Sequence, residues 1–221
     1  MLAFLVTSND VTVYNILENQ DIVRAVSKED AEMMSRFLQQ VGKDTLQKKI
    51  KEIRETVAKN EEANLNWIIQ TMLLRKAQQT AQVPMYIQLL IQLESKQILA
   101  YTAKQIHELY RKCCFINEQD FQSKMKVKVN ANPIQQHLKH VGSFFGQLTL
   151  QRNQPILRQH LDLKYILYLS YTEDTLRLAI PFVVKILLKA KDSLFKRPNP
   201  WFESFLSQLK EVKQGILSNP N

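Results

Sequence analysis

Apolar residues recur along most of this chain at spacings of three and four, the period of an α-helix with one buried face. Ala31, Met34, Phe37, Leu38 and Val41 form the first stripe, preceded by Ser27 as an N-cap, with Glu29 and Asp30 in an acidic first turn, and closed by Gly42. Asp44 is the expected cap of a second helix, with Leu46, Ile50, Ile53 and Val57 on one face and Lys48, Lys49, Lys51, Arg54 and Glu55 on the other. These two segments predict a helical hairpin. The pattern then repeats. Asn64 or Asn66 caps a helix carrying Trp67, Ile68, Met72, Leu73 and Leu74, and a partner begins near Val83 and Pro84 with Tyr86, Ile87, Leu89, Leu90 and Ile91. A third pair runs from Gln97 to about Cys114 and resumes at Pro133, separated by the long linker from Phe115 to Asn132. Within that linker, Met125, Val127 and Val129 alternate with lysines and would permit one short strand.

Downstream, Leu138, Val141, Phe144, Phe145 and Leu148 mark an apolar helix face, and Gly142 and Gly146 thin one side of the same helix four residues apart. A neighbouring helix is expected to approach closely there. Pro155 stops that run. Asp162 caps a helix over Leu163 to Leu169, and Thr172 or Thr175 starts a long helix, kinked or restarted by Pro181, that is expected to reach Phe195. A last helix opens at Pro200 or Trp201 and runs to about Gly215. Serial hairpins of this size, each too small to bury both faces alone, predict an all-α fold, a HEAT-like α-solenoid of antiparallel helix pairs. Residues 1–27 read as an N-terminal arm packed along the first helices, and 28–221 as one helical-repeat domain. Pairing the helices in order puts the breaks 151–161 and 192–199 on the same edge of the stack, so the two loops should lie near each other.

Composition sharpens this picture in three places. Only 4 glycines in 221 residues leave little turn chemistry for a many-stranded sheet. The cysteines, Cys113 and Cys114, are adjacent and have no third to pair with, as expected in a reducing compartment. No uninterrupted apolar run has membrane length, and the opening MLAFLV is short and lacks a basic flank, so a soluble intracellular protein is expected. The net charge of +9 is uneven. Residues 133–221 hold twelve basic and six acidic side chains. A surface facing RNA or an acidic partner is one reading and lysines that merely solvate helix faces the other, the second favoured where no exposed aromatics interleave with the charges.

Catalytic chemistry is not visible. His137 and His140 lie three apart on a helix without a third ligand at suitable spacing, and His107, Cys113 and Cys114 do not converge on one point. Glu61 with Glu62 and Glu173 with Asp174 sit at helix starts, where the helix dipole already explains acidic residues. No phosphate-binding loop occurs. The expectation is therefore no enzyme, no cofactor and no metal.

The strings LKHVGSFFGQLTLQRNQPIL, from Leu138, and KRPNPW, from Lys196 to Trp201, resemble the MIF4G-type middle domain of the NOT-family scaffold subunit of the CCR-NOT messenger-RNA deadenylase complex. NWIIQTMLLRKAQQ, from Asn66, resembles the second repeat of that family more loosely, and the likeness spans about Lys28 to Lys213. The resemblance implies a non-catalytic, cytoplasmic or nuclear scaffold that docks a CAF-type deadenylase and a DEAD-box helicase in deadenylation, mRNA decay and translational repression. The chain departs from the family where many members carry Glu-Pro-Asn-Phe, here Thr80, Ala81, Gln82 and Val83, which bears on the helicase. Candidate partner-binding residues are Arg197, Pro198, Asn199, Pro200 and Trp201, with Arg152 and Asn153 joining them if the two loops share an edge. Arg197, a guanidinium beside a rigid loop, suits a carboxylate or phosphate. Trp201 reads equally as a side chain buried between repeats. A direct RNA-binding helical module and a translation-initiation scaffold remain the alternatives.

Overall fold

The computed structural model describes residues 17–115 and 132–218, and these are all-α, with no strand among them. The alternating run around Val127 lies outside the described residues. The helices are α1 (Gln20–Arg24), α2 (Lys28–Gln40), α3 (Lys43–Lys59), α4 (Glu61–Thr71, prolonged by a π-turn over Met72–Lys76), α5 (Val83–Gln92), α6 (Ile98–Phe115), α7 (Asn132–Leu148), α8 (Leu163–Thr172), α9 (Leu176–Leu187) and α10 (Pro200–Ser218). Packing divides the chain at His137 and Leu138 into two compact units.

In the first unit α2 packs on α3 and α4, α3 on α4 and α5, and α4 on α6. That is the packing of a helical solenoid, in which no hairpin buries its faces unaided. α4 is the hub. Leu65, Ile68, Ile69 and Met72 are at most 1% exposed, and contacts to α1, α2, α3 and α6 surround it. Ser27 caps α2 as expected, accepting from the Asp30 amide at 3.1 Å. Two other caps differ from expectation. α3 starts two residues earlier than Asp44 implies, with Gly42 at the N-cap and no side-chain bond. α4 is capped by Asn60, which accepts from the Ala63 amide, and not by Asn64 or Asn66. Asn64 is buried inside α4, where its Nδ2 donates to the Thr56 carbonyl at 2.8 Å. Tertiary burial outweighs the intrinsic capping preference of asparagine there.

The described end of the N-terminal arm packs on α4 and α6. The Asn19 amide donates to buried Gln70 at 2.9 Å, Lys112 Nζ donates to the carbonyls of Leu17 and Glu18 at 3.2 and 3.3 Å, and Leu17 is itself buried. Tyr86 on α5 is 1% exposed, and its hydroxyl lies 2.7 Å from the side-chain oxygens of both Gln79 and Gln82. Burial pushes its ionisation from the usual 10.0 up to about 12. The unfolded phenol thus loses its proton first, so this stability is complete below pH 10 and drains away as pH rises towards 12. Alkaline unfolding should show a loss of about 2 kcal/mol across that window, read by chemical denaturation at successive pH values, and Tyr86→Phe should abolish the slope. A wild-type profile flat through the window would overturn this account.

In the second unit α8 packs on α9 and α10, and α7 runs against α9 at the two glycines. A Cβ on Gly142 would stand 2.6 Å from the Phe182 carbonyl oxygen, and one on Gly146 2.7 Å from that of Ile186. The close approach read from the glycine spacing is therefore present, with α9 as the partner. Asp162 caps α8, accepting from the Tyr165 amide at 3.0 Å. Pro181 sits within α9 without ending it; it lacks the N–H owed to the residue four before it, yet Ala179, Phe182, Val183 and Ile186 are wholly buried and hold the helix on. The long helix expected to reach Phe195 instead stops at Leu187 and gives way to a 3-10 turn over Leu188–Ala190. Beyond that turn, the hydroxyl of buried Ser193 donates to the Ala190 carbonyl at 2.9 Å and accepts from the Phe195 amide at 3.1 Å, local bonds that take the place of helical ones.

Candidate functional site: a double loop edge

The segments that follow α7 and α9 meet. The 3-10 turn Leu150–Arg152 lies against that of Leu188–Ala190. Asn153, left-handed at φ 59°, accepts on Oδ1 from the Leu194 amide at 2.7 Å. A short polar side chain tolerates that backbone, and here it serves as the bolt between two loops. The expected proximity of the two loops is thus a direct hydrogen bond. Asn199 fastens the far side: Nδ2 donates to the Leu194 carbonyl at 3.0 Å, Oδ1 accepts from the Trp201 amide at 2.9 Å, and α10 begins at Pro200, where a missing N–H costs nothing.

Arg197 is exposed, but its guanidinium is already engaged. Its Nε donates to Glu203 Oε1 at 2.5 Å and its Nη2 to Oε2 at 3.3 Å, a two-pronged pair that raises its pKa. The same fork fixes the direction of the loop relative to α10. Pro198 and Pro200 are exposed, as is Arg152. Trp201 is half-buried, neither core nor free. It lies edge-on to Phe195 at 5.7 Å and to Phe205 at 4.7 Å between centroids, which ties the loop to the α10 core position Phe205. The edge also carries apolar surface that sequence reading missed, with Leu194 75% and Leu188 59% exposed. Helical periodicity had assigned both to one continuous helix, which hides an exposed loop leucine.

Burial governs several of the histidine and cysteine candidates. His137 is buried with its Nδ1 3.5 Å from Gln78 Nε2. Burial, with Lys185 and Lys139 alongside, pushes the His140 pKa down. Burial raises the Cys113 thiol far out of the reactive range. Among the described residues no cluster of three histidine, cysteine, aspartate or glutamate side chains could hold a metal ion, and no helix is long and apolar enough to cross a membrane.

An all-α chain whose two loops are fixed to each other by a side-chain hydrogen bond presents a preformed surface of the kind on which helical-repeat proteins dock partners. It belongs to the family described as the CCR4-NOT transcription complex subunit 1 CAF1-binding domain, which matches residues 22–217. Among curated proteins it is similar to General negative regulator of transcription subunit 1 of Saccharomyces cerevisiae and of Schizosaccharomyces pombe, each 39% identical over 79 residues, and to CCR4-NOT transcription complex subunit let-711 of Caenorhabditis elegans, 41% identical over 80 residues. Each alignment covers 35% of this chain and only 3 to 4% of the relative, so the chain spans a small part of the proteins it matches.

Proposed function

We propose that this chain is a non-catalytic scaffold domain that docks a CAF-type poly(A) deadenylase, and so acts in mRNA deadenylation and decay in the cytoplasm. Membership of a CAF1-binding family over residues 22–217 carries the reading. The bolted loops supply a surface suited to it. Arg152, Asn153, Arg197, Pro198, Asn199, Pro200 and Trp201 lie on or beside one edge whose exposed leucines and fixed charges need no reordering on contact, which lowers the entropic cost of binding.

Titration of a recombinant CAF-type deadenylase against the purified domain tests both levels. The wild type should bind and should hydrolyse neither poly(A) nor ATP unaided. Arg197→Glu should weaken binding at least about tenfold with little change in melting temperature, because an exposed charge contributes little to folding. Glu203→Gln, which releases the guanidinium and keeps its charge, should bind within a few-fold of wild type. No binding by the wild type would sink the docking reading itself. Undiminished binding by Arg197→Glu would only remove this loop from the interface. A DEAD-box helicase titrated in parallel addresses the second partner that the family resemblance implies.

A further inference from the structure

The second unit carries another surface, which shares Trp201 with the loop edge. Tyr165, Tyr168 and Tyr171 stand three residues apart on α8 and are 52, 60 and 44% exposed. Spaced by three within two turns, they give one side of α8 an exposed aromatic surface. Tyr165 and Tyr168 form one wall of a groove of about 480 Å3, with Trp201 and Phe205 on another, an opening with room for a planar ring. Arg158, Lys164 and Asp162 also line it. Asp162 is engaged with Arg158 Nε at 2.6 Å, leaving the Arg158 terminal nitrogens facing outward on a side chain 88% exposed. Lys164 Nζ sits 5.5 Å from the centre of the Phe205 ring and makes no ion pair among the described residues. On the floor, Gln208 Nε2 donates to the Lys164 carbonyl at 3.0 Å, while its buried Oε1 has no hydrogen-bond donor among the described residues.

We infer that this groove binds single-stranded RNA, with a base stacked against the Tyr165 and Tyr168 rings and phosphates on Lys164 and Arg158. Exposed aromatic rings beside cations are the recurrent platform for unpaired strands, because every base has a stacking face. The charge agrees: residues 138–221 hold twelve basic against six acidic side chains. Interleaved exposed aromatics are what the sequence did not reveal beside those charges, and their presence favours a polyanion with flat bases over solvated lysines. A scaffold for a deadenylase that also holds the strand would raise the local concentration of substrate.

Fluorescence anisotropy of a labelled oligo(rA) of about twelve nucleotides, titrated with the domain at several salt concentrations, tests the proposal. Wild type should bind with a log–log salt slope of about −1.4, two phosphate contacts on a single strand. Tyr168→Ala should weaken binding about tenfold, and Lys164→Gln should roughly halve the slope. Tyr168 and Lys164 are surface residues, so both variants should melt with wild type, and Arg197→Glu should leave RNA affinity unchanged. Absence of salt-dependent binding, or binding indifferent to both groove variants, overturns the inference. So does a groove whose variants weaken deadenylase binding while RNA binding persists, which would make it a protein-docking site. Deadenylase capture that is intact while RNA binding is absent separates failure here from failure of the docking proposal.

Discussion

Gly142→Ala should destabilise the second unit by about 2 kcal/mol, although alanine is the better helix former by about 1 kcal/mol. The added methyl would stand 2.6 Å from the Phe182 main-chain oxygen, 3.2 Å from its ring and 3.4 Å from Lys185 Cβ. Rotamer changes relieve a clash with a side-chain tip, but the carbonyl oxygen moves only if α9 itself moves. That displacement would be felt along the seam, because Gly146 makes the same approach one turn on. Gly146→Ala should therefore have an effect of similar size, and the double variant should cost less than the sum, since a helix displaced once is already clear of both methyls. Thermal and urea denaturation followed by far-UV circular dichroism would show it. A net gain in stability from Gly142→Ala would mean that helix propensity rules this position and that the close approach has been misjudged.

Phe182→Ala acts on the opposite side of the same seam and should cost more, about 4 kcal/mol, the usual loss for a buried phenylalanine truncated to alanine. Phe182 has no exposed surface, and Val183 and Ile186 beside it on α9 have none either. They cannot close the space without shifting helices. At the enthalpy typical of a chain this long, the loss should lower the melting temperature by roughly 10 °C. Combining it with Gly142→Ala should not rescue either change, because the 2.6 Å contact is with backbone that Phe182→Ala retains. A fall of only a degree or two would place Phe182 at a collapsible site. Both variants should also weaken deadenylase docking at temperatures where the unit begins to melt, unlike Arg197→Glu, which should act on binding alone.

The sequence by itself determined the helical class, most helix starts and the seam between α7 and α9. These depend on local periodicity and on residues with one conformational use: Ser27 and Asp162 as caps, Pro84 and Pro200 in first turns, two glycines one turn apart on one face. Residue type also pointed to the meeting of the two loops, because antiparallel pairing returns alternate breaks to one edge. Tertiary structure decided the rest. Asn64 left its capping role for the buried hydrogen bond to Thr56, the helix expected to reach Phe195 stopped at Leu187 although its apolar pattern continued, and Arg197 took Glu203 as its partner. The exposure of Tyr165, Tyr168 and Tyr171 was equally undecided beforehand. Their spacing fits a buried stripe as well as a bare one, since periodicity records which residues share a face, while only the packing of α9 and α10 around α8 decides which of its faces meets water.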